Sequence, residues 1–130
     1  MLFADLRGST DLIERLDPEA AMLRLAPALA VMADAVARFG GIVAKQQGDG
    51  LMALFGVPLA TEDHAICGCL AARGIVDGIA ALDESQVAAR VGVATGNVVA
   101  RVVGRDESDY DVVGVTVHLA ARLEQAAEPG

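Results

Sequence analysis

Ile42-Val43-Ala44-Lys45-Gln46-Gln47-Gly48-Asp49-Gly50-Leu51-Met52-Ala53-Leu54-Phe55 is the stretch on which the fold turns. Residues 42–44 begin a strand, Gln47-Gly48-Asp49-Gly50 signals a turn, and 51–55 is a second apolar run. The pattern predicts a β-hairpin with Asp49 at its tip. Gly40-Gly41, just before it, ends a helix. That helix opens at Asp17-Pro18-Glu19, and Leu25, Leu29, Met32 and Val36 form one stripe along it. Pro27 lies inside it and is expected to kink or divide it.

Working outward, residues 2–5 read as the end of a strand. Gly8-Ser9-Thr10 opens a short helix to about Leu16, with Ser9 or Thr10 as its cap. After the hairpin, residues 62–82 read as a helix, 88–94 and 98–103 as strands, and 105–108 as a polar loop. Residues 110–113 read as a strand and 116–127 as a helix. The order β-α-α-β-β-α-β-β-β-α predicts an α+β sandwich, a mostly antiparallel sheet with helices on one face.

The chain has 130 residues, of which 54% are hydrophobic and 3% aromatic. One domain is expected, with Ala, Val and Leu filling its core. The formal net charge of −8 excludes a general nucleic-acid binder and argues against docking on anionic lipid. A phosphate ligand would need local cations, amides or a metal. No segment reads as a membrane span, because Arg24, Asp34 and Arg38 interrupt the most apolar stretch, 20–39. No signal peptide is visible. Cys67 and Cys69 read as reduced, buried thiols of a cytosolic protein. His64, three residues before Cys67, is a weak basis for a metal site.

Three segments carry candidate chemistry. In Phe3-Ala4-Asp5-Leu6-Arg7-Gly8-Ser9-Thr10 a carboxylate ends a strand, and a glycine turn leads to free helical amides that favour phosphate. A carboxylate there repels phosphate unless a cation lies between, so the pairing suits a metal–phosphate ligand. Taken alone, Asp5 reads equally well as a helix cap. Asp49 alone is an ordinary Asp-Gly turn, and its functional reading is a second metal carboxylate. In Asp111-Val112-Val113-Gly114-Val115-Thr116-Val117-His118-Leu119-Ala120-Ala121-Arg122, His118 and Arg122 share a helix face. An arginine there can neutralise a transferring phosphoryl group. Singly, a solvated arginine and an exposed strand-end Asp111 are the simpler readings.

Together these segments resemble the catalytic domain of the class III adenylate and guanylate cyclases over essentially the whole chain. Residues 3–10 resemble the family's opening motif. Gly-Gly with Lys-Gln-Gln-Gly-Asp-Gly and Leu-Met-Ala-Leu-Phe-Gly resembles its central hairpin. Arg-Val-Gly-Val-Ala-Thr-Gly at 90–96 and the segment from Tyr110 to Leu123 resemble its next strand and its substrate-binding strand and helix. The resemblance implies a ferredoxin-like nucleotidyl cyclase fold and a homodimer with active sites shared between subunits. Asp5, Asp49 and the backbone of Leu6 would hold two Mg²⁺ or Mn²⁺ ions. Arg7, Gly8, Ser9 and Thr10 would contact the triphosphate. Lys45 and Asp111 of the other subunit match the pair that reads the purine. Lysine donates to adenine N1 and aspartate accepts from the 6-amino group, so the implied substrate is ATP and the product 3′,5′-cyclic AMP with pyrophosphate. Arg122 matches the arginine that stabilises the transition state.

His118 departs from the family, which usually has a ribose-orienting asparagine there. The domain, 1–130, is expected to be truncated, beginning inside the first strand and stopping before the last strands and their triphosphate lysine. The implied setting is cytoplasmic, in a larger protein with other signalling domains, and without membrane insertion by this domain. Two alternatives stay open. One is a degenerate cyclase-homology domain that binds nucleotide or a partner without turnover, which His118 favours. The other is a guanylyl cyclase, against which Lys45 and Asp111 speak.

Overall fold

Ten elements follow one another in the expected order in the computed structural model, which describes residues 1–82, 87–103 and 110–130. They are β1 Leu2–Arg7, α1 Ser9–Arg15, α2 Pro18–Arg38, β2 Ile42–Gln47, β3 Gly50–Leu54, α3 His64–Ala80, β4 Ala88–Val93, β5 Val99–Val102, β6 Tyr110–Val113 and α4 Val115–Ala126. The polar loop expected at 105–108 lies outside the described residues. Strands β2-β3-β1-β4 form an antiparallel sheet, and β5 and β6 form a separate two-stranded ribbon.

The hairpin forms as its turn residues dictate. Gly48 takes a φ of 61° between the paired Gln47 and Gly50, as the first central residue of a two-residue II′ turn must. Helix α2 starts where Asp17 accepts from the amides of Glu19 and Ala20 at 3.2 and 3.1 Å. Pro27 does not divide it. Leu23, whose carbonyl loses its partner to the proline ring, is 72% exposed, so water can replace the lost bond. By length and composition alone α2 could cross a membrane. Here Leu25, Leu29, Met32 and Val36 are buried in the core instead.

Residues directly opposed across strands share a face, and neighbours along a strand alternate. Leu2, Ala4 and Leu6 oppose Val93, Val91 and Ala89, and this face packs with α2 and α3 into the main core. Phe3 and Asp5 oppose Gly92 and Arg90 on the other face. Helix α4 covers that face at β4, which corrects the expectation of helices on one side only. Its backbone rests directly on Gly92. A Cβ built there lies 2.2 Å from the amide of Glu124 and 2.3 Å from the carbonyl of Ala120.

Two smaller expectations are also corrected. Cys69 is exposed and Cys67 half-buried, both free, because α3 buries Gly68, Ala71, Ile75 and Ile79 instead. Neither Ser9 nor Thr10 caps α1. Gly8 takes the cap position with a φ of 90° and no side chain caps the helix.

No side chain fits at position 92. Gly92→Ala is expected to lower stability in urea unfolding by about 2 kcal/mol or more, as overpacking against rigid backbone does. Gly74→Ala, whose Cβ meets Ala35 at an ordinary 3.5 Å, serves as the control and should stay within about 1 kcal/mol, the usual helical glycine-to-alanine difference.

Candidate active site

The sheet face beside α4 carries two rows of site residues. Lys45 opposes Met52, which opposes Phe3, which opposes Gly92. One step along, Gln47 opposes Gly50, and Asp5 opposes Arg90. Gly50 lies against Asp5, since a Cβ built on it would meet Asp5 Oδ1 at 3.4 Å. Helix α4 roofs only the β4 end of this face. The rest is an open cleft of about 950 Å³, walled on its far side by Arg101, Tyr110 and Asp111 of the β5–β6 ribbon.

Lys45 reaches the cleft because of a β-bulge between Val43 and Lys45. Val43 opposes Ala53, whereas Lys45 opposes Met52. The extra residue, Ala44, is buried. In a regular strand without the bulge, Lys45, two residues after Val43, would keep the phase of Val43 and point into the core.

Asp5 has a resident cation. Arg90 Nη2 donates to Asp5 Oδ2 at 2.8 Å and lies 2.8 Å from Glu124 Oε1. Glu124 is 8% exposed. Its Oε1 and Arg90 Nε are buried without an aligned hydrogen bond, so the Arg90–Glu124 contact is ionic rather than directional. Burial pushes the Glu124 carboxyl above the usual carboxylate range; Arg90 pulls it back, Asp5 and Asp49 push it up, and Arg7 pulls it down.

Asp49 is held from the other side. Ser9 is buried, and its hydroxyl reaches both the Asp49 carboxylate and the Leu6 carbonyl, the latter at 2.8 Å. The start of α1 is thereby tied to the hairpin tip. Arg7, Gly8 and Thr10 are exposed at this turn, while the Ser9 side chain faces inward.

This donor set fits Mg²⁺ or Mn²⁺. It offers hard oxygens from Asp5, Asp49 and the Leu6 carbonyl, and Mg²⁺ is commonly held by one or two carboxylates with substrate phosphates completing its shell. No cluster of three acidic, histidine or cysteine ligands exists among the described residues, so the ligands from protein alone would be few. A cation binding at Asp5 competes with Arg90.

Of the other expected residues, Lys45 and Asp111 line the same cleft as Asp5 within one chain. Asp111 Oδ2 accepts from Arg101 Nη2 at 2.9 Å. His118 and Arg122 do not join them. Thr116, Ala120 and Glu124 are the buried face of α4, and 118 and 122 project from its exposed side.

The sequence model described as the adenylate and guanylate cyclase catalytic domain matches residues 1–130. The chain belongs to this family. Two uncharacterized proteins of Mycobacterium tuberculosis are 37% and 35% identical to it over 133 and 130 residues, 98% of this chain and 24% of theirs. The chain thus spans about a quarter of the length of the curated relatives it matches. Among solved structures, the adenylyl cyclase CyaB of P. aeruginosa superposes with a TM-score of 0.85 at 29% identity, covering 98% of this chain and 71% of that one. The dimeric guanylyl cyclase domain of the Blastocladiella emersonii RhoGC fusion protein gives 0.88 at 25%, covering 98% and 73%. The guanylyl cyclase Cya2 gives 0.77 at 33%, covering 98% and 69%.

In this cyclase domain Arg90 and Glu124 also line the cleft, though neither stands out in the sequence as a candidate. Arg90 opens the motif at 90–96, and an arginine in a strand otherwise made of Ala, Val and Gly is the signal that marks it. Glu124 gives none, since a glutamate in a C-terminal helix resembles any solvated one.

Removing one partner of a buried ion pair strands the other. Arg90→Ala is expected to destabilise the domain by roughly 3 kcal/mol in urea unfolding, and Glu124→Gln by less. Glu124 holds its proton more tightly in the folded chain than at its ordinary value of 4.5. Its contribution to stability is therefore complete below that value and lost as pH rises through the raised folded value. In metal-free buffer, the stability of the natural chain relative to Glu124→Gln should fall as pH rises above 4.5. A difference that is flat with pH would contradict the assignment.

Proposed function

We propose that this domain is an adenylyl cyclase that converts ATP to 3′,5′-cyclic AMP and pyrophosphate at sites shared between two copies of the chain. The observation that carries this reading is the cleft. Asp5, Lys45 and Asp111 line it together, and Asp49 sits in the hairpin turn next to Gly50, which also lines it.

In the proposed reaction the ribose 3′-oxygen attacks the α-phosphorus, the bond from that phosphorus to the bridging oxygen breaks, and pyrophosphate leaves. The 3′-hydroxyl proton passes to solvent. Two Mg²⁺ or Mn²⁺ ions held by Asp5 and Asp49 would supply charge neutralisation on the triphosphate and favour the 3′-oxyanion. Arg90, displaced from Asp5 by such a cation, remains tethered to Glu124 and can donate to a phosphate oxygen. Lys45 donates to adenine N1, and Asp111 accepts from the 6-amino group. The protein's part is mainly positioning and fixed charge.

The exposed placement of His118 and Arg122 supports a dimer. Within one chain they face away from Asp5, so only a second copy can bring Arg122 to the phosphates. Val115, Leu119 and Leu123 lie four apart on α4 and are 83%, 48% and 44% exposed, and Val99 and Val113 of the ribbon are 66% and 56% exposed. Such a surface suits an isologous interface. The free cysteines suit a cytoplasmic location, and the much longer relatives suit a domain fused to other signalling domains.

In the full-length protein, cyclic AMP formation from ATP with Mg²⁺ or Mn²⁺ is expected to exceed cyclic GMP formation from GTP. Asp5→Ala should lower it by about a hundredfold or more; undiminished output would sink the metal assignment. Mixing full-length Asp5→Ala with Arg122→Ala should restore roughly a quarter of the natural activity, because half the dimers are mixed and each keeps one intact site. No recovery on mixing would mean the sites are not shared.

A further inference from the structure

The purine end of the cleft contains a charged residue that the reaction scheme leaves without a role. Arg101 lies directly opposite Asp111 in the β5–β6 register, and its Nη2 donates to Asp111 Oδ2 at 2.9 Å. Both side chains are accessible, 75% and 51% exposed, and both line the cleft with Lys45. A hairpin ribbon places directly opposed side chains on one face, so wherever Asp111 is presented, Arg101 is presented beside it.

We propose that Arg101 is a specificity-determining residue that relaxes the discrimination between adenine and guanine at the Asp111 end of the cleft. This rests on the proposed assignment of Lys45 and Asp111 to the purine. The 6-amino group of adenine is a donor and needs a carboxylate acceptor. Arg101 already occupies one of the two Asp111 oxygens, so adenine must share or displace it. Guanine presents acceptors at O6 and N7, which a planar guanidinium fork matches in pairs. Its N1–H and 2-amino donors can use the Asp111 oxygen that remains. Arg101 therefore weakens the adenine contact and supplies a guanine contact. An exposed ion pair shifts an equilibrium by up to about fivefold, and a gained guanine contact acts in the same direction.

The test measures equilibrium binding of 3′-deoxy-ATP and 3′-deoxy-GTP, which lack the attacking oxygen, to the full-length protein by calorimetry with Mg²⁺. The readout is the ratio of the two dissociation constants for the natural protein, Arg101→Ala and Arg101→Lys. Arg101→Ala is expected to shift the ratio toward ATP by roughly five- to tenfold. Arg101→Lys, which keeps the charge but loses the fork, should fall between. Inorganic tripolyphosphate should bind the natural protein and Arg101→Ala equally. An unchanged ratio overturns the proposal, as does an equal loss of both nucleotides and tripolyphosphate, which would make Arg101 a general phosphate cation. Since no turnover is read, a protein that binds nucleotides but forms no cyclic product would overturn the proposed activity, and the ratio would still decide the role of Arg101.

Discussion

Helix α4 touches the sheet backbone to backbone at Gly92, and the site is arranged around that contact. A Cβ on residue 92 would lie well inside van der Waals distance of the Glu124 amide and the Ala120 carbonyl. With the helix this close, Glu124 is forced down beside Arg90, the next site residue along the same strand. The register of β4 on β1 then sets Arg90 opposite Asp5. One missing methyl group thus links the helix that carries His118 and Arg122 to the strand that carries Asp5. The same contact turns positions 118 and 122 outward, because Thr116, Ala120 and Glu124 take the inward face.

The electrostatics follow from that packing. The whole chain is acidic, with a formal net charge of −8, and would not by itself attract a nucleotide triphosphate. The cleft answers this locally. Arg90 is divided between two carboxylates, and Asp49 is steadied by Ser9 rather than by a cation. A divalent ion arriving at Asp5 and Asp49 would exchange one positive partner for another while Glu124 keeps hold of the arginine. Such a cation could bind without leaving a buried charge unpaired in its absence, because Arg90 already covers Asp5.

The elements, their order and the chemistry of the opening motif and hairpin were legible in the sequence because each is a local property. A turn of Gly48 and Asp49 between apolar runs can form only one kind of hairpin, and the stripe from Leu25 to Val36 can bury only one face of a helix. Pro27 does not divide α2, because a proline's effect depends on whether the orphaned carbonyl meets water or core. The exposure of Cys69 was not legible, because small residues on every side of α3 leave its buried face ambiguous.

What lay beyond the sequence was everything that depends on one segment meeting another far along the chain. A single bulged residue, Ala44, decides that Lys45 faces the cleft rather than the core. Glu124 becomes a site residue only because α4 lies on Gly92, and Arg101 acquires its partner only through the pairing of β5 with β6. The sequence by itself determined which elements form and which chemical groups they carry, since periodicity and turn geometry act over a few residues. The tertiary structure alone decided which of those groups share a face, since strand register and helix docking are set by contacts that no local pattern encodes.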